Sequence, residues 1–539
     1  MPRSQDFLLV AAFWLAFAMP ALWFGHVALD TDGAMRLAQV RDLLGGQGWF
    51  DATQHRMNTP FGLPMHWSRL VDLPIAGLIA LSGSELFALK VWPLIVLFAV
   101  LAALARIAAV LAGQVAVITV LVLGLFAAQL NGLFAAGNID HHNVQVALML
   151  WMLAFLVERR ARSAAVMVAL GLSIGLESLP YAAVASVIAA LWLRDEPAKA
   201  RGFGVTLAIA STALLLAATA ARFRFAFACD TYSLFYAGLA AAGGAGLAAI
   251  SFLPRHRYAV LAGLGMGLVA LAALLQPACL AGPYGGMAAE LKSIWLARIN
   301  EAQPAFAFAS FAPSEFVGAY VYACFALVAC FLAPGARRHW PVIVLAATAL
   351  LVATLQIRAV PFATMFALPG LAAALSRLKI VPLAVGLLLG SDITFALAGD
   401  FIEGSGHDKR IAAYTSQVGC ADEKALAALK ALPPGRVAAF VDQGPAVLAY
   451  TRHAAIAGPY HRNASGILDS YAIFAGGDPR AVLKARGIDY VMTCSASPDW
   501  DFYRAKGGLV AGLAAHRVPS WLVPAGGTGR IAVYRVAKR

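Results

Sequence analysis

Long apolar runs, separated by short polar stretches, occupy the first three quarters of the chain. Many of these runs approach the roughly 20 residues that a helix needs to cross a bilayer core. The pattern predicts a polytopic α-helical membrane protein with about thirteen transmembrane helices. The predicted spans lie near residues 7–25, 86–104, 108–128, 143–157, 163–176, 180–193, 203–220, 234–253, 258–276, 314–333, 340–356, 359–375 and 380–398.

Composition supports this prediction, since 61% of the residues are hydrophobic, 13% are charged and the mean hydropathy is +0.75. The abundant Ala and Leu favour helices over an outer-membrane barrel, which would show short alternating segments. The net charge of +13 does not indicate nucleic-acid binding, because the basic residues cluster in short loops between apolar runs. By the positive-inside rule these loops are cytoplasmic. The clusters are Arg159/Arg160/Arg162, Arg194/Lys199/Arg201, Arg255/Arg257, Arg337/Arg338 and Arg377/Lys379.

This topology places three polar loops on the outer face, at 26–72, 129–142 and 277–313. The composition changes near residue 400, where β-rich runs such as "RVAAFV" and "DYVMTC" flank the helical "DPRAVLKARGI". We therefore predict a transmembrane domain over 1–399 and an extracytoplasmic soluble α/β domain over 400–539. The expected location is a bacterial inner membrane, with the C-terminal domain in the periplasm.

The cysteines do not indicate a disulfide scaffold or a CxxC metal motif, since the chain has 6 of them. Cys229 with Cys279, and Cys420 with Cys494, would lie outside the cytoplasm and could pair in an oxidising compartment. Free buried thiols are equally compatible with the sequence.

Two outer loops carry candidate metal ligands. Asp30 and Asp32 occur where the first span should leave the membrane, and "GNIDHHNVQ" places Asp140, His141 and His142 before a later span. Taken singly, each motif is compatible with solvated carboxylates or interfacial histidines. Together, carboxylates and imidazole on one membrane face suit Mg²⁺ or Mn²⁺, and such an ion can hold a phosphate leaving group.

Four short motifs in order, "LDTDGAMRL", "IDHHNVQ", "RINEAQP" and "QIRAVPF", resemble elements of the catalytic subunit of oligosaccharyltransferase, a GT-C membrane glycosyltransferase. That family has thirteen spans followed by an outer domain. In the first motif the family's spacing from an aspartate to an arginine selects Asp30 and Arg36, with Asp32 as the rival. The resemblance assigns metal binding to Asp30 or Asp32, Asp140, His142 and Glu301. It assigns binding of the lipid phosphate to Arg358.

The resemblance implies an inverting, metal-assisted transfer of a sugar or oligosaccharide. The donor would be a polyprenyl phosphate or pyrophosphate, and the acceptor would be extracytoplasmic. An aspartate of the first loop, Asp30 or Asp32, would accept the acceptor's proton, and Glu301 would complete the metal shell or orient the acceptor. The family's WWDYG motif appears here as "FVDQG", which keeps Asp442 for acceptor contact but lacks both tryptophans. This departure counts against asparagine-linked transfer, so the acceptor stays open among glycan, lipid and protein.

Other polar residues of these segments have two interpretations each. His66 and Arg69 could contact phosphate or sugar, or belong to a hydrogen-bonded loop. Trp67 fits the interfacial aromatic belt better than a sugar-stacking role. Glu177 lies within an apolar segment and therefore needs a partner or water. The alternative function is a polytopic transporter or lipid flippase, although the acids and histidines here concentrate in outer loops rather than at the membrane centre.

Overall fold

The computed structural model describes residues 4–282, 284–333, 335, 339–410 and 419–537. Their contacts divide the chain into two compact units. The first unit contains the described residues of 1–27, 66–286 and 299–404, and the second contains those of 28–65, 287–298 and 405–539. The predicted basic pair Arg337/Arg338 lies outside the described residues.

The first unit is built from apolar helices. Within the described ranges, 6 helices are long and apolar enough to cross a membrane, and a bent pair with a 45° break raises the number to 7. Six further apolar helices are shorter than 18 residues. These helices support a multi-pass membrane protein, while the count of about thirteen spans stays a prediction. The long helices are Asp6–Phe24, Glu85–Ala112, Pro197–Ala218, Arg257–Leu275, Pro313–Leu332 and Ile357–Leu375; the bent pair is Ile380–Leu389 with Asp392–Glu403; the shorter helices are Gln114–Phe126, His141–Val157, Ala161–Ile174, Leu176–Leu191, Leu234–Ile250 and Trp340–Leu355.

The bent pair lies over the predicted span 380–398. The structure breaks this segment between Leu389 and Asp392, and whether the pair forms one span stays a prediction. Gly390 and Ser391 lie in the break, and the Asp392 carboxylate accepts a hydrogen bond from the backbone N–H of Ala128 at 2.5 Å. A buried aspartate needs such a donor, and here the donor is a first-turn N–H of helix Ala128–Leu133 that has no partner within its own helix.

Local sequence sets the ends of these helices, and small residues set their packing. Helix Glu85–Ala112 begins after Ser84, whose hydroxyl accepts from the Phe87 N–H at 3.2 Å, and ends at Gly113 with a φ of 76°. Close approach of two neighbouring helices requires glycine, because a Cβ at Gly204 would lie 2.4 Å from the Gly244 carbonyl oxygen. Such small-residue contacts are typical of helix pairs in membranes.

Helix Val360–Leu375 lies at the centre of the first unit, with nearly all of its side chains buried. It packs against helices Glu85–Ala112, Gln114–Phe126, Trp340–Leu355 and Tyr322–Leu332. This central position fixes the short turn Ile357–Ala359 that precedes it, and that turn carries Arg358. Besides the apolar helices given above, the first unit also contains helices Arg69–Ser82, Ala128–Leu133, Ala221–Arg224 and Ala305–Phe311.

The second unit contains the β-structure predicted for the C-terminal region. Its strands are β1 (Thr53–Gln54), β2 (Leu63–Pro64), β3 (Arg436–Ala438), β4 (Ala454–Ala455), β5 (Tyr490–Cys494), β6 (Leu522–Thr528) and β7 (Ile531–Val536). The first two form an antiparallel pair, and the others form a sheet in the order β4-β3-β5-β7-β6. Strand β3 pairs in parallel with β4 and β5, whereas β7 pairs antiparallel with β5 and β6. The predicted β-rich runs "RVAAFV" and "DYVMTC" therefore contain strands β3 and β5, and β3 covers the first half of its run.

Helices complete the second unit. The predicted helix in "DPRAVLKARGI" is confirmed as Pro479–Arg486, between the Asp478 N-cap and Gly487. The helices of this unit that lie wholly within the described residues include Thr31–Leu44, Ala289–Ile294, Ala427–Lys430, Gly444–Tyr450, Ala464–Ala475, Pro479–Arg486, Pro498–Lys506 and Leu509–Ala514.

Residues 28–65 fold with the C-terminal residues, which differs from the predicted division at 399/400. Arg56 donates hydrogen bonds to the carbonyl oxygens of Leu448, Thr451 and His453. Arg486 donates to the carbonyl oxygens of Asn58 and Thr59 in the same way. A guanidinium has five N–H donors, so one arginine can satisfy several buried carbonyls of a loop that forms little secondary structure of its own.

Both cysteine pairs suggested by the sequence are disulfides. Cys229 bonds to Cys279 in the first unit, and Cys420 bonds to Cys494 in the second. Cys324 and Cys330 are free thiols. Disulfides persist in oxidising compartments, so both bonds agree with an extracytoplasmic position, which stays a prediction.

Candidate active site

The "DHH" motif begins a helix, and its first residues form a tight polar group. Asp140 is the N-cap of helix His141–Val157 and accepts from the His141 backbone N–H at 2.6 Å. Its two carboxylate oxygens also bond the Nδ1 atoms of His141 and His142. The potential ligand atoms of these three residues lie within 4.8 Å of one another.

This arrangement fits a metal site. The Nε2 atom of His142 is buried and has no hydrogen-bond partner among the described residues. Since Nδ1 bonds the Asp140 carboxylate, the ring can offer Nε2 to a cation, which is the usual arrangement of carboxylate-supported histidine ligands. Because Nε2 lies on the side of the ring away from Asp140, one ion cannot bind both Nε2 and the carboxylate oxygen that bonds Nδ1. The donor set therefore fits a divalent metal in one of two ways: at His142 Nε2 with Asp140 as the supporting carboxylate, or between the Asp140 carboxylate and the neighbouring histidine nitrogens.

Arg358 forms a second polar group with two acidic residues. Its Nη2 atom lies 3.1 Å from Glu301 Oε1, and its Nη1 atom lies 3.8 Å from Glu177 Oε1. The same Nη2 atom donates to the Tyr284 hydroxyl at 2.9 Å. The Nε atom of Arg358 is buried and lacks a hydrogen-bond partner within the described ranges. A buried guanidinium with an unused donor is suited to an anion.

Local contacts explain how these distant segments meet. Glu177 lies on the turn Leu176–Ser178, and its carboxylate accepts from Gln145 Nε2 at 3.0 Å. Gln145 is one helical turn beyond His141, so this bond joins the histidine helix to the Glu177 turn. The backbone N–H of Ile357 donates to the Gln303 carbonyl at 2.9 Å, which holds the Glu301 turn beside Arg358.

The two groups act on each other electrostatically. His142 interacts electrostatically with the carboxylates of Asp140, Glu177 and Glu301. Glu177 interacts in the same way with Arg358 and with both histidines. The first unit thus brings together Asp140, His142, Glu301 and Arg358, as the motifs predicted. Gln145 and Tyr284 were not predicted, and Glu177 was expected only to need a partner. The spacing of Gln145 from His141 was a usable signal, whereas nothing local marks Tyr284.

The other predicted residues of the first unit have different surroundings. Arg69 forms an ion pair with Asp72 at 3.0 Å, and both side chains are 2% exposed, so its charge is already matched within the first turn of helix Arg69–Ser82. The carbonyl of His66 accepts from Thr231 Oγ1 at 2.8 Å. Trp67 is buried, and its ring lies 5.5 Å from that of His141. The ring therefore packs on the "DHH" group, and its assignment to the interfacial belt stays a prediction.

Asp30, Asp32 and Arg36 belong to the second unit. The Asp30 side chain caps helix Thr31–Leu44 by accepting from the Gly33 N–H at 2.6 Å, while Arg36 is fully buried in that helix. A joint metal site of Asp30 or Asp32 with Asp140 stays a prediction.

Asp442 lies in an acidic pair of the second unit. Burial and the charge of the neighbouring Asp499 raise the pKa of Asp442 to about 7, although Arg298 acts in the opposite direction. Burial also raises the pKa of Asp499, whose carboxylate accepts from Arg298 Nη2 at 2.6 Å. The Arg298 guanidinium lies over the Phe502 ring at 3.8 Å. At neutral pH, Asp442 can therefore exchange a proton.

Comparison with known proteins identifies the architecture. No protein-family model and no curated protein matches the sequence. The apo structure of an oligosaccharyltransferase from Archaeoglobus fulgidus is similar, with a TM-score of 0.64 at 12% identity over 99% of this chain and 74% of that one. The chain has a GT-C fold.

Two further structures of the A. fulgidus oligosaccharyltransferase are also similar. The complex of AglB with an inhibitory peptide and a dolichol-phosphate has a TM-score of 0.60 at 13% identity, covering 93% of this chain and 71% of that one. A complex with Zn and sulfate has a TM-score of 0.57 at 12% identity, covering 93% and 69%. At such identities the likeness concerns the fold.

Proposed function

We propose that this protein is a membrane glycosyltransferase that moves a sugar or oligosaccharide from a polyprenyl phosphate or pyrophosphate donor to an extracytoplasmic acceptor. The observation that carries the proposal is the meeting of the "DHH" group with Arg358, Glu177 and Glu301 in a GT-C fold. Similar structures hold dolichol-phosphate, or Zn and sulfate, which are the kinds of group that this site would take.

Charge assigns a task to each side chain. Arg358 would bind the phosphate of the donor, because its buried Nε has no partner among the described residues and its planar fork matches phosphate geometry. Phosphate departure concentrates negative charge, and a fixed guanidinium that needs no reorientation stabilises such charge effectively. Glu177 would keep Arg358 in place, and Glu301 would orient the acceptor or contact the ion.

A divalent ion, Mg²⁺ or Mn²⁺, fits the donor atoms of Asp140 and His142, with Asp30 or Asp32 and Glu301 as further proposed ligands. When bound, it would supply a Lewis acid for the departing phosphate. Asp30 or Asp32 would accept the proton of the acceptor, and direct attack at the anomeric carbon would invert its configuration. Asp442, with its pKa near neutrality, would contact the acceptor.

The test uses purified protein and a lipid extract that contains polyprenyl-linked sugars. We expect wild type to convert these donors to the sugar-free carrier, detected by mass spectrometry, and we expect Arg358→Gln and Asp140→Asn to lose at least about nine tenths of that activity. Glu290→Gln, in an exposed glutamate of helix Ala289–Ile294, is the matched control. Donors that remain intact with folded wild type and a range of acceptor extracts would contradict the function.

Metal binding has a separate readout. Dialysis against Mn²⁺ followed by elemental analysis should show a bound ion in wild type and less in His142→Ala, because that change removes the free Nε2 ligand. Equal metal content in His142→Ala and in Glu290→Gln would remove His142 from the metal site.

A further inference from the structure

Arg358 is shared by two carboxylates in different settings. Glu177 is 30% exposed and lies on a turn between two apolar helices, where Gln145 also holds it. Glu301 is 56% exposed and lies on the short turn Asn300–Ala302 of the outer loop. Exposed ion pairs are weak and cost side-chain entropy, so the bond to Glu301 breaks more readily than the contact with Glu177.

The geometry of the guanidinium identifies which partner an anion must replace. Phosphate binds arginine best through two parallel N–H donors on one edge. Nε and Nη2 form such an edge, and Nη1 lies on the opposite side of it. In Arg358 the Nε is unused within the described ranges, whereas Nη2 is occupied by Glu301 and Tyr284. A phosphate that takes this edge must therefore displace one of the two Nη2 partners and can leave Glu177 at Nη1. Glu301 is the partner that an anion repels, whereas the neutral Tyr284 hydroxyl can stay.

We propose that Arg358 exchanges Glu301 for the donor phosphate while Glu177 keeps the guanidinium in position. This inference rests on the proposed function, since it assumes a lipid phosphate at Arg358. The exchange couples the two substrates, because Glu301 becomes free for the acceptor or the ion only after the donor has bound. Glu177 is thus a positioning residue, and the donor must bind first.

Electrostatics favours this order. A phosphate that approached Arg358 without displacing Glu301 would place like charges side by side in a partly buried site. Moving Glu301 away removes this repulsion and frees a second donor for the phosphate. Glu177 lies outside the group of ligand atoms formed by Asp140, His141 and His142, which agrees with a role at Arg358 rather than at the metal.

The experiment measures the affinity of the purified full-length protein for undecaprenyl phosphate, with undecaprenol as the lipid that lacks phosphate. Glu301→Gln removes the competitor and should tighten undecaprenyl phosphate binding about three- to fivefold, the range expected for a half-exposed ion pair. Turnover should fall in the same variant. Glu177→Gln removes an equal charge from the same arginine but should leave the affinity unchanged or weaker.

The outcomes separate the exchange from simpler explanations. Equal tightening in Glu177→Gln and Glu301→Gln would indicate general charge repulsion and overturn the exchange, as would unchanged or weaker binding in Glu301→Gln. Glu290→Gln should bind as wild type does, and undecaprenol should bind all variants alike. An equal response to inorganic phosphate would assign the site to free phosphate instead of a lipid donor.

Hydrogen exchange in wild type provides a second readout that needs no variant. Undecaprenyl phosphate should increase deuterium uptake in Asn300–Ala302, because the turn loses its bond to Arg358, whereas greater protection there would contradict the exchange. Failure of the proposed function looks different: wild type and Arg358→Gln would then bind undecaprenyl phosphate equally well.

Discussion

The acidic pair in the second unit makes stability depend on pH in a way that one substitution should abolish. Asp442 lies on the turn Val441–Gln443, and its pKa is raised from 3.8 to about 7. The raised value means that the folded state prefers the protonated carboxyl. The contribution of this carboxyl to the stability of the folded state is therefore fully present below pH 3.8, and it is lost as the pH rises to about 7.

The pKa gives the size of the effect. Between pH 5 and the pKa of about 7, the free energy of unfolding of wild type falls by about 1.4 kcal/mol for each pH unit, or by about 3 kcal/mol in all. The fall in the free energy of unfolding does not exceed this value, because Asp499 shares the proton of Asp442 and Arg298 offsets part of the negative charge of the pair. Asp442→Asn keeps the size of the side chain but cannot ionise. At pH 5 the free energy of unfolding of the variant should be closer to that of wild type. At pH 8 the variant should be the more stable protein, and its advantage should be larger than at pH 5 by up to about 3 kcal/mol.

The assay is thermal or denaturant unfolding of the full-length protein in detergent, followed by tryptophan fluorescence at pH 5 and pH 8. The matched control is Asp501→Asn in the helix Pro498–Lys506, where the aspartate side chain is 73% exposed and pairs with Arg504. Its difference from wild type should vary little with pH, because exposed pairs contribute little. The reasoning fails if Asp442→Asn and Asp501→Asn show the same change between the two pH values.

Three further outcomes are expected. Thiol labelling of the denatured, unreduced protein should modify Cys324 and Cys330 alone, and reduction should raise the labels from two to six; more than two labels before reduction would contradict the disulfides. Arg358→Lys should lower turnover of the lipid donor at least about tenfold, or about 1.4 kcal/mol, since one ammonium cannot both contact Glu177 and offer a two-donor edge. Near-normal turnover would show that charge alone suffices. A reporter fused after the C-terminus should be active outside the cytoplasm, because the basic loops fix the orientation; a cytoplasmic signal would reverse the topology.

Local pattern accounted for the elements whose physics is local. The length of an apolar run decides whether a helix can cross a membrane, and a short run rich in residues that favour β-structure marked strands such as Tyr490–Cys494. The motif "DHH" was predicted to precede a span, and in the structure it begins helix His141–Val157, with Asp140 as the N-cap. These features depend on residues a few positions apart, so the sequence alone was sufficient to predict them.

Tertiary structure decided the contacts that build the site. Arg358 meets Glu177 and Tyr284 across long stretches of chain, and no spacing in the sequence encodes those contacts. Packing also placed Trp67 against His141, a contact that no local pattern indicates.

The same holds for residues 28–65, which the sequence assigned to the transmembrane domain but which fold with the C-terminal residues through Arg56 and Arg486. The physical reason is that a buried charge or carbonyl needs a partner, and several kinds of polar group can serve as that partner. Only the packing of the helices and the sheet determines which of them lies within reach.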